Sequence, residues 1–324
     1  MLNNVELSIV LPVYDENLLV IKKALNSVAR QLKSTYELII IDDNPKRSDL
    51  KAFLQEFQSK TKNVFLVFNS VNKGLVYSLN KGLQQARGIY VARMDADDIS
   101  LPNRLKSQVA ILNAGYDFTA SSAIEIDENG DRIGYRKMPY EGVVESPAVF
   151  KYGNFIIHPS VMMRRDVVKE LGGYRDIPSA EDYDLWVRIL FLPHSRAFFV
   201  TDPEVLYRVR EDGISLANRL TMDISSNAIR KALNKASSLA EYDKRISHYF
   251  SESKKKIRIS SWKPFRKYYN YGAKEYEVKS RQLKKNRSLK NYLRLGGSLL
   301  LFPPTWSYIV DAILRRFHEG KRLS

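Results

Sequence analysis

Apolar residues follow two alternating rhythms along the first two hundred positions of the chain. Short apolar runs at Leu7-Ser-Ile-Val-Leu-Pro-Val13, Glu37–Ile41, Val64–Phe68 and Tyr90–Met94 have the length and composition of strands buried on both faces. Between the first two runs, Ile21, Ala24, Leu25, Val28 and Leu32 recur at helical spacing, and a second helical stretch covers Gly74–Ala86. Further helices are expected from near Ser48, from near Pro102, and over the block holding Leu185, Val187, Ile189 and Leu190. This alternation predicts an α/β fold, a Rossmann-type, mostly parallel sheet flanked by helices on both faces. Such sheets bind ligands beyond the carboxyl ends of their strands. The polar clusters Pro12–Glu16, Asp42–Asn44, Asn69–Gly74 and Asp95–Asp98 all fall at those ends, so they are expected to converge on one rim.

Charge divides the chain. Residues 1–229 hold 28 Lys and Arg against 29 Asp and Glu, a net of −1, while residues 230–324 hold 24 against 7, a net of +17. We therefore read a catalytic domain over 1–220 and a basic, aromatic, mainly helical extension over 221–324. In the extension Lys254–Lys256, Arg266-Lys267 and Lys284-Lys285 are interleaved with Trp262, Phe265, Tyr268, Tyr269, Tyr271 and Tyr292, a composition that suits single-stranded nucleic acid or an anionic membrane surface. Leu295–Val310 is uncharged and contains Gly296, Gly297, Pro303, Pro304 and Trp306. As a helix it would reach about 24 Å, short of the ~30 Å hydrocarbon core, and its prolines would break it. It reads as an interfacial or shallow re-entrant element flanked by Arg315-Arg316, the alternative being a helix pair packed on the catalytic domain. The absence of Cys excludes disulfides, thiol catalysis and a Cys zinc site, and fits a reducing cytoplasm. Met1–Glu6 lacks a basic leader and the apolar run after it ends at Asp15, so no signal peptide is expected. Attachment to the inner face of the cell membrane follows as the expected location.

The strand at 90–94 stops in Asp95-Ala96-Asp97-Asp98. Asp95 and Asp97, two apart in an extended chain, project to one side, where their repulsion must be offset by a cation or by donors. Hard oxygen ligands suit Mg²⁺ or Mn²⁺, ions that keep waters and share protein carboxylates with a diphosphate. The alternative is a solvated acidic turn. Glu181-Asp-Tyr-Asp-Leu-Trp-Val-Arg188 adds carboxylates that serve either as the first-turn charges of a helix or as a base.

Ser8-Ile-Val-Leu-Pro-Val-Tyr14, Ile41-Asp-Asp-Asn44, Asn72-Lys-Gly74, Arg93-Met-Asp-Ala-Asp-Asp98 and Glu181-Asp-Tyr-Asp-Leu-Trp186 occur in an order and spacing that resembles family 2 glycosyltransferases of the bacterial polysaccharide type, over roughly residues 5–215. The resemblance implies a GT-A-like fold and assigns roles. Asp42 accepts a hydrogen bond from the donor's base, for which a uracil N–H suits; Pro12, Val13, Tyr14 and Glu16 border base and ribose. Asn72, Gly74, Arg93 and Ala96 join the donor set, Arg93 having a salt bridge to the acidic rim as its alternative. Asp97 ligates the metal, and Asp95 contacts the donor ribose or the metal's shell. Asp43 is expected to cap a helix or support a loop, and Asp98 to stand behind the ligands or cap the helix near Pro102. Asp182 matches the family's base, with Glu181 orienting the acceptor. His158 and Trp186 fall on the acceptor side, although a hydrogen-bonded structural histidine and a core aromatic are their commoner roles. The chain departs from the family in carrying Arg210 where His is usual. A guanidinium has no lone pair for a metal but pairs well with diphosphate oxygens, so Arg210 is expected to clamp phosphate, with Arg208 as its partner or in a structural ion pair.

The resulting expectation is an inverting, metal-dependent transferase that moves a hexosyl unit from a nucleotide-diphosphate sugar, UDP-linked for preference, to a lipid-linked saccharide in capsule, exopolysaccharide or O-antigen assembly. A sugar-nucleotide pyrophosphorylase or other nucleotidyltransferase shares the carboxylates and fold class, but expects a Gly-rich phosphate loop, and Pro12–Asn17 contains no Gly. A nucleic-acid-binding protein would rest on the tail's charge alone and leave the acidic rim unexplained; no nucleic-acid partner is expected.

Overall fold

A computed structural model describes residues 4–210 and 219–260 of the chain. The four apolar runs form β1 (Leu7–Val13), β2 (Tyr36–Asp42), β3 (Val64–Phe68) and β4 (Tyr90–Arg93), paired in parallel in the order β3-β2-β1-β4. Helices α1 (Leu18–Ala29), α2 (Ser48–Lys60) and α3 (Leu75–Gln85) connect them. Asn17 starts α1 by accepting the Leu19 N–H on its side chain at 2.8 Å.

Beyond β4 the sheet changes character. After β5 (Ile99–Ser100) and α4 (Arg104–Asn113) come β6 (Phe118–Ile126), β7 (Arg132–Arg136), β8 (Gly142–Val144), β9 (Met162–Arg164), α5 (Arg165–Glu170), α6 (Glu181–Phe191) and β10 (Ala197–Arg208). The main path runs β3-β2-β1-β4-β9-β6-β10-β5, with β7 on β6 and β8 on β10. Because β9 is antiparallel to both β4 and β6, β6 and its parallel neighbour β10 point the same way as β4. The carboxyl ends of β6 and β10 therefore join the predicted rim, a placement that strand periodicity alone did not reveal.

Alternation across the pleat feeds two helical layers. Leu7, Ile9, Leu11 and Val13 of β1 pack with Ile21, Leu25 and Val28 of α1 and with Leu50, Leu54, Leu105, Val109 and Leu112 of α2 and α4. The opposite face carries α3, whose Gly82 lets the helix close on the sheet: a Cβ there would lie 2.4 Å from Val10 Cγ1. The start of β4 is pinned by a buried network in which Glu37 accepts from Ser8 Oγ (2.6 Å), Arg87 Nε (2.9 Å) and Arg87 Nη2 (2.6 Å), while Gly88 N donates to Ser8 Oγ (2.8 Å).

The described residues fall into two compact units, one of 4–149, 155–177 and 181–210, the other of 150–154, 178–180 and 219–260. In the second, α7 (Arg219–Leu233) packs along α8 (Leu239–Ser260). Trp262 and the rest of the basic-aromatic run beyond it, with the Leu295–Val310 segment, lie outside the described residues. Among those described, no helix is long and apolar enough to cross a membrane.

Gly88 packs directly against the backbone of β1. A Cβ there would lie 2.5 Å from Ser8 N and 2.7 Å from Leu7 C, both backbone atoms. Gly88→Ala is accordingly expected to destabilise the fold by about 1–3 kcal/mol, read as a lowered urea midpoint at unchanged slope; an unchanged midpoint would show slack at this strand start.

Candidate active site

The chain leaves β4 at Arg93 and turns through Met94–Asp98, whose three carboxylates set the charge of the turn. Carboxylate oxygens of Asp95, Asp97 and Asp98 all lie within 4.8 Å of one another. Burial raises the pKa of Asp97, and raises that of Asp98 still further because Asp97 adds like charge. Cations from several elements oppose this. Arg93 pairs with Asp95, and Arg210 Nη1 stands 4.0 Å from Asp97 Oδ2. Arg208 braces the turn: its N–H donates to Asp98 Oδ1 at 2.7 Å, its Nε to Asp97 O at 2.9 Å, and its Nη1 to Asp127 O at 2.5 Å and Glu128 O at 3.0 Å. From behind, the buried Arg104 donates to Arg93 O at 2.9 Å.

The set fits a hard divalent cation. It is all oxygen, it concentrates negative charge, and the buried Asp98 Oδ2 has no hydrogen-bond partner. One of the two readings of Asp98 is corrected here: it does not cap α4, which begins at Arg104 after Asn103, but belongs to the carboxylate group itself. Arg93 is 2% exposed and forms the salt bridge to the acidic rim that was one of its two expected roles.

On the other side of the rim, three consecutive residues after β2 tie separate loops together. Asp42, 3% exposed, accepts the N–H of Asn44 (2.9 Å) on Oδ1, and burial raises its pKa. Asn44 Nδ2 donates to Tyr14 O at 3.0 Å. Asp43 accepts from the backbone of Lys73 (2.8 Å) and Gly74 (2.7 Å), supporting the loop before α3; α2 has no side-chain cap, so neither aspartate starts it. Pro12 and Val13 are buried in β1, Tyr14 is exposed, and Glu16 accepts the Tyr14 N–H at 2.9 Å. The Glu16 pKa is raised first by burial, with the charge of Asp97 adding to it and Arg210 opposing. Asn72 accepts the Gly74 N–H at 3.0 Å, and Gly74 takes φ +85°, a conformation costly for other residues.

Helix α6 brings the remaining groups. Glu181 is buried, and desolvation followed by the charge of Asp182 pushes its pKa up to about 7. Asp182 is more open and accepts the Tyr183 N–H at 2.6 Å. One turn on, Asp184 and Arg188 form a fully buried pair at 2.7 Å, and Arg188 donates to Leu171 O (2.9 Å) and Gly173 O (2.8 Å). Asn80 grips the same loop by exchanging two bonds with Tyr174, whose hydroxyl meets His158 Nε2 at 3.0 Å. Desolvation, then Arg93, hold His158 well below the usual histidine range, so it is neutral. Arg93 thus feels Tyr174, Asp98, Asp97 and Glu181 together, and the two carboxylate groups share one buried cation. Trp186 is corrected: with 0% exposure and its ring stacked on Phe118 at 5.6 Å, it has no face for a sugar.

The sequence profile of Glycosyl transferase family 2 matches residues 8–172. The chain belongs to this family. As a glycosyltransferase it is 32% identical over 185 residues to the uncharacterized glycosyltransferase MJ1057 of Methanocaldococcus jannaschii, covering 56% of this chain and 64% of that one, somewhat under two thirds of its length. It is 28% identical over 214 residues to the O-antigen biosynthesis glycosyltransferase WbnJ of Escherichia coli, covering 65% and 83%. Its fold is similar to that of S. aureus TarS 1–349 crystallised with UDP-GlcNAc, with a TM-score of 0.57 at 18% identity over 92% of this chain and 80% of that one.

Sequence reasoning overlooked three supports of the transferase's site: Arg104, Asn80 and the Asp184–Arg188 pair. The only signal available for Arg104 was a charge amid apolar helix positions, and Asn80 carried none, because its partner Tyr174 is 94 residues away.

Glu181 carries a pH dependence of stability. Its folded pKa of about 7 lies above the ordinary 4.5, so folding takes up a proton; the stabilising contribution is complete below pH 4.5 and is lost as pH rises through 7. Its size is on the order of 3 kcal/mol. Glu181→Gln should flatten this decline in urea unfolding compared at about pH 5 and about pH 7.5, whereas a profile overlaying the wild type would mean that Glu181 ionises as it does in water.

Proposed function

We propose that this family 2 glycosyltransferase is an inverting, metal-dependent hexosyltransferase that uses a nucleotide-diphosphate sugar, UDP-linked, and extends a lipid-linked saccharide in cell-surface polysaccharide assembly. The observation that carries the reading is the grouping of Asp95, Asp97 and Asp98, with an orphaned oxygen on Asp98, around the same Arg93 that neighbours Glu181. The O-antigen biosynthesis for which WbnJ is named, and the UDP-GlcNAc with which TarS was crystallised, support the choice of pathway class and donor.

In this reading Asp97 and Asp95 hold Mg²⁺ or Mn²⁺, which supplies charge neutralisation for the diphosphate leaving group. Asp42 accepts the base N–H with the carboxylate oxygen that the Asn44 N–H does not occupy, and Pro12–Tyr14, Glu16, Asn72 and Gly74 frame the nucleotide. Arg210 pairs with phosphate oxygens. Asp182, the more open of the α6 carboxylates, takes the proton from the acceptor hydroxyl as that oxygen attacks C1. The C1–O bond to the diphosphate breaks on the opposite face, so the configuration inverts. Glu181, whose pKa burial raises to about 7, orients the acceptor. We further assign residues 221–324 to attachment at the cytoplasmic membrane face, which salt-weakened sedimentation with anionic vesicles would measure; no sedimentation at any ionic strength would remove that assignment.

A panel of nucleotide sugars, screened for metal-dependent turnover and thermal stabilisation, tests the donor. Asp97→Ala should abolish turnover and weaken UDP binding only when Mg²⁺ or Mn²⁺ is present, and a wild-type rate indifferent to chelator would rule out the metal role. Asp182→Asn keeps the shape but loses proton acceptance, so UDP binding should persist while transfer falls by a factor on the order of 10²–10⁴. Turnover equal to wild type would remove Asp182 from the mechanism.

A further inference from the structure

A second polar recess lies at the other end of the sheet from the acidic turn. Asp117 and Arg196 stand just before β6 and β10, Glu145 just after β8, and Arg164 is the last residue of β9. Because β8 is antiparallel to β10 and β9 to β6, these four positions meet at the amino ends of β6 and β10. Together with His194 and Ser195 they line an open cavity of about 730 Å³. The 12 residues of β10 separate it from Arg208 at the acidic turn, a span on the order of 30–40 Å at about 3.3 Å per residue.

Its arginines are braced from behind and open in front. Arg164 donates through Nε to Tyr116 O and through Nη2 to Leu112 O, each at 3.2 Å, and Arg196 donates through Nη2 to Gly115 O at 3.3 Å. Both guanidinium groups also lie over aromatic rings, Arg164 over Tyr90 at 5.6 Å from the centroid and Arg196 over Tyr116 at 5.2 Å. Asp117 fixes the two backbones, its O accepting the Arg164 N–H at 2.7 Å and its Oδ2 the Arg196 N–H at 3.0 Å. Arg164 Nη1 and Arg196 Nε and Nη1 are left without a protein acceptor. The side chains of Glu145 and His194 are exposed and make no hydrogen bond or ion pair among the described residues. Ser195 Oγ is buried with no hydrogen-bond partner.

No apolar side chain lines this cavity, whereas small-molecule pockets are mostly apolar with a few polar groups. Its formal charges also cancel, Arg164 and Arg196 against Asp117 and Glu145, so a simple anion gains little net attraction. What the walls present is N–H donors, carboxylate acceptors and a hydroxyl together, the set that matches a ligand whose groups each donate and accept. Sugars are such ligands, and a glycosyltransferase works among them. We propose that this cavity is a saccharide-binding site separate from the site of transfer. Glu145 accepts from neighbouring hydroxyls of a sugar ring, and Arg164 and Arg196 donate to its oxygens. The occupant is a part of the acceptor saccharide several sugars away from the end being extended; that identity, though not the site, rests on the reading of the enzyme as one that extends a saccharide.

Cellobiose, lactose and N,N′-diacetylchitobiose, titrated into the full-length protein and followed by saturation-transfer NMR, test this without any need for turnover. At least one disaccharide is expected to bind. Its dissociation constant should rise about tenfold or more in Glu145→Gln and in Arg196→Ala, the loss that removing a hydrogen bond to a charged group predicts, and should stay at the wild-type value in Asp182→Asn. Glu145 is exposed, so Glu145→Gln keeps the test decisive where Arg196→Ala fails to fold. Failure of all three sugars to bind the wild type, or equal affinity in wild type and Glu145→Gln, overturns the proposal. So does binding lost in Asp182→Asn, which would put the sugar at the site of transfer. Inorganic phosphate is titrated in parallel: a melting temperature that it raises in wild type but not in Arg196→Ala, with no sugar bound, would make the cavity an anion site and overturn the saccharide assignment. A protein that binds the disaccharide through Glu145 yet turns over no nucleotide sugar would keep this site and overturn the donor reading instead.

Discussion

Negative charge gathered at the end of β4 and the start of α6 is tolerable only because guanidinium groups are placed against it, and that requirement shapes the surrounding structure. Burial alone would drive the carboxylates toward their neutral forms, as the raised pKa values of Asp97, Asp98 and Glu181 show. Arg93 lies inside the protein between both groups, Arg208 and Arg210 arrive from the end of β10, and Arg104 holds the backbone under the turn. Balance is incomplete. The orphaned oxygen of Asp98 and the crowding of three carboxylates leave room for a further positive charge.

The sheet's reversal at β9 is what makes this placement possible. Strand β9 follows both β4 and β6 in sequence but enters the sheet between them, antiparallel to each, and so leaves β6 and β10 parallel to β4. The arginines at the end of β10 then emerge at the acidic turn. Helix α6 is set by polar bonds as well as by apolar packing. The fully buried Asp184–Arg188 pair is compensated by two carbonyls of the 171–173 loop, which supply the partners that a charge needs in the interior. The result is a rigid support for Tyr174 and His158 beside Glu181.

Much of this could be read from the chain. Runs of apolar residues marked β1 to β4, and punctuation by Asp, Asn and Gly marked the rim, because a charge inside a strand buried on both faces needs dedicated partners, as Glu37 has in Ser8 and Arg87, and is therefore rare there. The joint order of the rim motifs identified the family. Individual roles were less legible. Arg93 could equally have faced a donor or the acidic rim, and Trp186, though more often a core aromatic at such a position, could still have met a sugar, since a single strand or helix position does not state what lies opposite it.

The sequence by itself determined the strand-helix alternation, the carboxylates and the family, since each of these depends on local spacing and residue type. Tertiary structure alone decided that Arg208 braces the acidic turn and which loop Asp43 holds. Those relations join residues 30 to 111 positions apart, as in Asp43 with Lys73 and Asp97 with Arg208. No local pattern records them, because burial and charge pairing are properties of the packed chain and not of any one segment.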